Sequence, residues 1–213
     1  MAQTTPKIYV LAGVNGSGKS SIGGAAIRTA GAVYFNPDEA AAKLRQLHPH
    51  FDQTLANSTA WQIGKQLLEK AIAERKDFAF ESTLGANTMT SLLITAADSG
   101  FEIHIWYAGL DSPALNIARV QQRVKRGGHD IPEAAIRRRY ETSRLNLIKL
   151  LPHVTSLRVF DNSAEADPHT GAAPLPTLVM AVHSGKIVAI DLSTTPQWAK
   201  PIVVAALRQF GAL

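Results

Sequence analysis

The chain contains no cysteine, which excludes disulfides, thiolate metal sites and thiol nucleophiles together. No stretch approaches the ~18 apolar residues of a membrane-spanning helix, and the first residues lack the basic start and apolar core of a secretory signal peptide. Aromatic residues make up only 7% and charged residues 18% of the 213 positions, while 46% are hydrophobic. We therefore expect one globular domain over residues 1–213, located in the cytoplasm and without a membrane partner.

Motifs of several other enzyme classes are also missing. There is no Asn/Thr-Lys-x-Asp motif for guanine, and no Leu-Ser-Gly-Gly-Gln motif of an ABC ATPase. The seven histidines show no zinc-binding spacing, and no Ser–His–acid arrangement supports a hydrolase. We interpret His48 and His50 as surface residues, and His129, beside Asp130, as part of a loop.

A glycine-rich phosphate-binding loop is the strongest signal that is present. The apolar segment starting at Ile8 leads into Gly13-x-x-x-x-Gly18-Lys19-Ser20, and helix-compatible sequence follows. Glycines let backbone N–H groups approach a polyphosphate, Lys19 reaches the β- and γ-phosphates, and the Ser20 hydroxyl can bind Mg²⁺. The sequence thus predicts ATP and Mg²⁺ as cofactors. The expected nucleotide-binding residues are Gly13, Asn15, Gly16, Ser17, Gly18, Lys19, Ser20 and Ser21.

Two acidic residues follow predicted strands. Asp38 comes directly after a short strand, in Asn36-Pro37-Asp38-Glu39, and Glu81 ends the strand Phe78–Glu81. Ligands in open α/β sheets bind outside the carboxyl ends of the strands, so both carboxylates are candidate site residues. Asp38 has an equally good alternative reading as an acid in the first turn of a helix with Asn36 as N-cap. Glu81 could be a solvated strand end.

The net charge of +5 is concentrated in one basic segment between Arg119 and Lys149. Nucleic acid could be attracted here, but Tyr140 is the only aromatic residue within the segment, so a base-stacking surface is poorly supported. Two arginine-bearing helices joined at Gly127-Gly128 instead predict a mobile lid, about residues 119–150, that closes over phosphates. Two solvated helix faces would be the alternative.

The order of predicted elements indicates an α/β protein: a three-layer αβα sandwich of the P-loop NTPase type, with a mainly parallel five-stranded sheet. The core covers residues 7–163, and a β-hairpin and a helix follow at 177–210. Trp61 is expected in the core. Helices are predicted at Lys19–Thr29, Pro37–Leu47, Asn57–Arg75, Met89–Ser99, from Pro113 onward, at Glu133–Leu150 and at Gln197–Phe210. Strands are predicted at Ile8–Ala12, Ala32–Phe35, Phe78–Glu81, Glu102–Tyr107, Ser156–Phe160, Thr177–His183 and Lys186–Asp191.

With these residues identified, the chain resembles the zeta-toxin-like P-loop kinases over about residues 7–163. The phosphate loop alone is generic, but the set of motifs in this order is specific. The motifs are Ala12-Gly-Val-Asn-Gly-Ser-Gly-Lys-Ser20, Phe35-Asn-Pro-Asp38, Phe80-Glu-Ser-Thr-Leu84, Arg119-Val-x-x-Arg-Val-x-x-Gly-Gly-His-Asp-Ile-Pro132, Arg139-Tyr140 and Phe160-Asp-Asn-Ser163.

The resemblance implies roles for individual residues. Zeta toxins phosphorylate UDP-N-acetylglucosamine at the sugar 3′-hydroxyl, so Lys19 and Ser20 would hold ATP and Mg²⁺. Asp38 would be the catalytic aspartate, while Glu81 and Thr83 would contact the substrate. The catalytic, phosphate-binding arginines would be Arg126 and Arg139, with Arg119 and Arg123 as competing candidates on the substrate side.

The expected function is therefore an ATP-dependent kinase whose partner is a small-molecule phosphate acceptor. The longer toxins carry additional C-terminal substrate-binding sequence where this chain has a hairpin and a helix, so the acceptor is left open. Alternatives are a kinase for a nucleoside or antibiotic, and a nucleotide-gated ATPase or binding module without an acceptor. The family also implies an antitoxin as a separate protein partner, whereas nucleic acid is not an expected partner.

Overall fold

The computed structural model describes residues 5–19, 22, 33–165 and 174–211. Most of the helix predicted for Lys19–Thr29 lies outside the described residues, as do Ser20 and Ser21. Residues 166–173 of the loop before the hairpin also lie outside them.

Five parallel strands form the part of the sheet that the sequence predicted. The strand that precedes the phosphate-binding loop lies in the middle, with the order β2-β3-β1-β4-β5 across the sheet. A central strand is buried on both faces, which explains the continuous apolar sequence of β1. The strands are β1 Lys7–Ala12, β2 Val33–Phe35, β3 Phe78–Ser82, β4 Glu102–Gly109 and β5 Ser156–Asp161.

The C-terminal hairpin extends this sheet, so the expected five-stranded sheet is wrong: the described residues form a sheet of seven strands. Strands β6 (Thr177–His183) and β7 (Lys186–Ile190) pair antiparallel, and β6 pairs antiparallel with β5. The predicted turn is confirmed, because Ser184 and Gly185 have φ of 47° and 72°, as a tight hairpin requires. An isolated hairpin is marginally stable, whereas docking on β5 buries the apolar centre of β6.

The described residues include six α-helices. The predicted N-caps Asn36 and Ser112 are confirmed: Asn36 Oδ1 accepts from Asp38 N at 2.8 Å, and Ser112 Oγ accepts from Leu115 N at 3.2 Å. The second helix begins earlier than predicted because Asp52 caps it, accepting from Leu55 N at 2.7 Å. The helices are α1 Pro37–Leu47, α2 Gln53–Ala73, α3 Asn87–Asp98, α4 Pro113–Lys125, α5 Glu133–Leu150 and α6 Lys200–Gln209.

Side chains alternate between the two faces of the sheet. One face carries Val10, Phe80 and Ile105, which join the main core with residues of α3, α5 and α6, and Trp61 packs against this core as predicted. Leu11 and Ala79 point to the other face, where Ile22 packs with them. No helix within the described ranges combines the length and hydrophobicity needed to cross a bilayer.

Candidate functional site

The loop after β1 has a backbone that only glycine accommodates. Gly13, Gly16 and Gly18 have φ of 138°, 82° and 76°. A Cβ on Gly13 would lie 2.3 Å from the Ala108 carbonyl oxygen at the end of β4, and one on Gly16 would lie 2.7 Å from the Asn116 carbonyl oxygen on α4. The loop is therefore pressed against the carboxyl edge of the sheet, in the shape of a phosphate cradle.

Two asparagines from distant parts of the chain hold this loop. Asn116 Nδ2 donates to the Asn15 carbonyl at 2.8 Å, and Asn162 Nδ2 donates to the Ser17 carbonyl at 2.9 Å. Neither was predicted to support the site. Asn162 belongs to the Phe160-Asp-Asn-Ser163 motif after β5, whereas Asn116 has the sequence context of an ordinary helix residue.

The pKa of Lys19 is influenced by four of the predicted charged residues. Its Nζ donates to the Gly13 carbonyl at 3.0 Å. Burial lowers the pKa of the Lys19 amine, the carboxylates of Glu81 and Asp38 raise it, and the guanidinium groups of Arg123 and Arg139 lower it further. Residues from β3, α1, α4 and α5 thus all influence the charge of one ammonium group.

Asp38 lies in the first turn of α1, so its reading as a helix-start acid is confirmed. Its half-exposed carboxylate faces α4 and the turn after it: Oδ2 is 3.5 Å from Arg123 Nη1, and Oδ1 is 3.6 Å from His129 Nε2. The two readings of Asp38 are compatible, because a carboxylate in the first turn of α1 also faces Arg123 and His129.

Glu81 is fixed at the end of β3 by two donors. Its Oε1 accepts hydrogen bonds from the Tyr34 hydroxyl and, at 3.1 Å, from Asn36 Nδ2. It is therefore not a freely solvated strand end. Thr83 lies just beyond, where its Oγ1 accepts from Gly85 N at 3.3 Å.

The four candidate arginines occupy different places. Arg139 Nη1 donates to Asn15 Oδ1 at 2.8 Å, which sets its guanidinium on the phosphate-binding loop, and burial, followed by the charge of Arg138, lowers its pKa. Arg123 faces Asp38, as described above. Arg119 Nη2 donates to the Ala164 carbonyl at 3.0 Å after β5, and Arg126 is an exposed C-cap of α4. Arg139 thus contacts the phosphate-binding loop and Arg123 contacts Asp38, whereas Arg126 lies exposed at the end of α4.

Buried polar atoms at the cleft agree with an anionic ligand. Ser17 Oγ and Arg123 Nε are buried without a hydrogen-bond partner in the part of the chain that the structure describes. Unpartnered buried donors are costly, and phosphate oxygens would accept from both. Among the described residues, no three His, Asp or Glu side chains are grouped to hold a metal ion. Mg²⁺ that accompanies ATP needs only one or two protein ligands.

Helix α5 also supports the turn that follows β3. Asn146 Nδ2 donates to the Leu84 carbonyl at 2.8 Å, and Thr142 Oγ1 donates to the Gly85 carbonyl at 3.0 Å. Leu84 has a φ of 48°, which a side-chain-bearing residue adopts at a cost. The helix that carries Arg139 therefore holds the same turn that carries Thr83.

Trp198, before α6, packs on the site from the C-terminal side, which sequence analysis missed. Its ring occupies the space beside Gly109, where an added Cβ would lie 2.1 Å from the indole. Trp198 Nε1 donates to Asp161 Oδ1 at 3.0 Å, and Arg144 Nη1 donates to the Trp198 carbonyl at 3.3 Å. The C-terminal segment therefore supports the ends of β4 and β5.

Comparison with known proteins identifies relatives of this chain. The family model of the zeta toxin matches residues 1–169. A Haemophilus influenzae protein of uncharacterised function is 33% identical over 134 residues, which is 63% of this chain and 92% of the relative.

Solved structures share the fold. A chain of the AvrRxo1-ORF1:ORF2 complex with ATP aligns with a TM-score of 0.67 and 16% identity over 91% of this chain. This chain spans 64% of that one. A chain of the PezAT toxin–antitoxin system of Streptococcus pneumoniae aligns with a TM-score of 0.61 and 13% identity, covering 100% of this chain and 88% of that one. The predicted α/β fold is thus confirmed.

Proposed function

Because the chain belongs to the zeta toxin family, we propose that it is an ATP-dependent kinase that phosphorylates a hydroxyl of a small-molecule acceptor, a nucleotide sugar such as UDP-N-acetylglucosamine. One observation carries the proposal: Arg139 Nη1 is hydrogen-bonded to Asn15 of the phosphate-binding loop at 2.8 Å, and Arg123 Nη1 lies 3.5 Å from the Asp38 carboxylate. Phosphoryl transfer needs alignment and charge neutralisation more than covalent chemistry, and these residues supply both.

The residues of the cleft take separate roles in this reaction. The loop from Gly13 to Ser21 binds the triphosphate, with Lys19 on the β- and γ-phosphates, while Arg123 and Arg139 neutralise the charge that develops on the transferred group. Asp38 orients the acceptor hydroxyl and takes its proton. The acceptor O–H bond breaks as its oxygen bonds to the γ-phosphorus, and the bond from that phosphorus to the ADP oxygen breaks.

Mg²⁺ is proposed as the second cofactor. The Ser20 hydroxyl would hold it, and the ion would supply positive charge that offsets the charge of the triphosphate. Ser20 lies outside the described residues, so its assignment continues to rest on the motif.

The acceptor is proposed to bind beside Glu81 and Thr83. Hydrogen bonds from Tyr34 and Asn36 already orient the Glu81 carboxylate, so it can accept from a sugar hydroxyl without first becoming ordered. A separate antitoxin protein is the proposed macromolecular partner, since the S. pneumoniae neighbour belongs to a toxin–antitoxin system.

An acceptor panel with γ-labelled ATP tests the proposal. UDP-N-acetylglucosamine, other nucleotide sugars, nucleosides and aminoglycosides are incubated with the wild type, Asp38→Asn and the control Asp98→Asn. Asp98 is an exposed aspartate on α3 that faces His153. We expect label transfer to one acceptor, a loss of at least ~100-fold in Asp38→Asn, and wild-type rates in the control.

Lys19→Ala completes this experiment by separating binding from transfer. It should remove both ATP affinity and label transfer, whereas Asp38→Asn should retain ATP affinity. ATP turnover that no acceptor stimulates would favour a nucleotide-gated ATPase instead. Near-normal transfer by Asp38→Asn would remove Asp38 from the mechanism.

A further inference from the structure

His129 lies in the turn between α4 and α5, a place where the sequence indicated only loop structure. Gly127 has a φ of 89° and redirects the chain. The turn then packs closely on Arg123: a Cβ on Gly128 would lie 2.7 Å from Arg123 Cγ, and Arg123 Nη2 donates to the His129 carbonyl at 3.3 Å. The path of the turn, and hence the position of the His129 ring, is fixed by the same arginine that faces Asp38.

The imidazole and the Asp38 carboxylate face each other across the cleft. His129 Nε2 is 3.6 Å from Asp38 Oδ1, while Arg123 Nη1 is 3.5 Å from Oδ2, so each carboxylate oxygen has its own lid residue. The His129 side chain is only 16% exposed, against 49% for Asp38. Both distances are longer than hydrogen bonds; the Arg123 guanidinium forms an ion pair with Asp38, while the imidazole makes a polar contact with it. His129 is therefore the more buried and more firmly held of the two side chains.

We propose that His129 is a positioning residue, which orients the Asp38 carboxylate from the turn between α4 and α5 so that one oxygen is presented to the acceptor hydroxyl. The inference rests on the proposed function and adds a residue to it. Lid closure and base orientation would then be one event, because Arg123 binds the turn that carries His129 and also faces the second Asp38 oxygen.

The charges around His129 make the contact sensitive to pH. Burial lowers the pKa of His129 below its ordinary value of 6.5; Asp38 and Asp130 act to raise it, and Arg123 and Arg45 act to lower it. The ring is therefore neutral near pH 8 and becomes charged only below its lowered pKa. A charged imidazolium beside Asp38 makes the carboxylate a poorer proton acceptor, so transfer should decrease as the pH falls through that value.

An NMR titration of the histidine imidazole resonances tests the contact without any acceptor. The resonance of His129 is assigned by its absence in His129→Gln, and its pKa is measured in the wild type and in Asp38→Asn. Removing the carboxylate charge should lower the pKa of His129 further, since Asp38 is a group that raises it. An identical pKa in both proteins would overturn the contact.

Kinetics test the positioning role, with the panel acceptor that the wild type phosphorylates fastest. His129→Ala should reduce kcat about 10-fold at pH ~8 and leave KM for ATP within about twofold, since geometry rather than nucleotide affinity is lost. His129→Gln retains an N–H donor and should recover most of that kcat. The kcat of His129→Gln should also begin to fall at a lower pH than the kcat of the wild type, because the amide does not titrate.

His153→Gln is the matched control, since His153 Nδ1 lies 3.4 Å from Asp98 Oδ1 outside the cleft. It should behave as wild type throughout. Unchanged kcat in His129→Ala, or an acid limb in His129→Gln identical to that of the wild type, would overturn the inference while leaving the kinase assignment in place. If the wild type phosphorylates no acceptor, the proposed function fails and the positioning role fails with it, although the titration still decides the contact.

Discussion

Two arginines from different helices contact the phosphate-binding loop and the Asp38 carboxylate, one each. Arg139 is bonded to Asn15 in the loop, and Arg123 lies opposite Asp38. Both lower the pKa of Lys19, which places them within electrostatic reach of any phosphate bound there. Arg126, three residues after Arg123, is exposed at the end of α4.

A pair of alanine substitutions on α4 distinguishes these arginines. Arg123→Ala should reduce kcat/KM for phosphoryl transfer by about 100-fold, the usual effect of removing one group that stabilises transition-state charge. Arg126→Ala should remain within about threefold, because an exposed helix-end arginine interacts weakly. Steady-state transfer assays measure both. A larger loss in Arg126→Ala than in Arg123→Ala would reverse the assignment.

Local motifs made several site residues predictable and left others hidden. Lys19 and the glycines follow from the loop sequence, and Asp38 and Glu81 follow from their positions at strand ends. The choice among the arginines did not follow from the sequence. Residues three or four apart lie on the same face of a helix, and which of them reaches the cleft depends on how the helix packs. Asn116 bonds a residue 101 positions away in the sequence, and Trp198 bonds one 37 positions away. No local sequence pattern encodes such contacts.

At the scale of single elements, α5 links the phosphate-binding loop to the turn after β3. It carries Arg139 at the cleft and, two turns later, Asn146, whose amide satisfies the buried Leu84 carbonyl in the turn after β3. Tyr107 of β4 hydrogen-bonds Ser143 of the same helix at 3.0 Å, and burial raises the pKa of Tyr107 to about 12. The inner face of α5 is thus fixed by polar contacts as well as by packing.

Asn146→Ala tests this anchoring role. The substitution leaves the Leu84 carbonyl buried and unsatisfied, so the free energy of unfolding should fall by about 1–3 kcal/mol. Urea denaturation measures the change. The neighbouring Leu145→Ala is the control, because Leu145 is 56% exposed and should change stability by about 0.5 kcal/mol or less. Equal stabilities of the two variants would mean that the turn does not depend on this hydrogen bond.

The helices were predictable where capping chemistry is local, as at Asn36 and Ser112. The start of α2 was missed because the Asp52 cap stands just after the His-Pro-His segment, which reads as irregular. The end of that helix falls before Arg75, whose φ of 51° ends the helical path. The left-handed residue that ends a helix is usually a glycine. Here it is an arginine, so the sequence does not reveal it.

At the scale of the whole molecule, the C-terminal segment completes the sheet and supports the cleft. β6 covers the edge that β5 would otherwise expose, and Trp198 fills the space beside Gly109. The sequence predicted the hairpin and the final helix but not their docking. Pairing between β5 and β6 depends on residues separated by a loop, and periodicity alone does not reveal which edge a hairpin joins.

Trp198→Ala should therefore destabilise the whole domain. Trp198 is 3% exposed, and replacing a buried tryptophan by alanine typically costs about 3–5 kcal/mol. Thermal unfolding monitored by circular dichroism measures the loss. Leu192→Ala is the control from the same segment, since Leu192 is 59% exposed and should unfold close to the wild-type temperature. A Trp198→Ala variant of wild-type stability would show that the C-terminal segment is only loosely attached.

The most direct measurement is a crystal structure with Mg²⁺ and a non-hydrolysable ATP analogue. We predict the triphosphate on the loop from Gly13 to Lys19, with the terminal phosphate among Lys19, Arg123 and Arg139. The Asp38 carboxylate should lie about 6 Å from the terminal phosphorus, since one hydroxyl oxygen must fit between them. A triphosphate bound away from this loop, or an Asp38 carboxylate more than about 10 Å from the terminal phosphorus with the lid closed, would contradict the proposed kinase site.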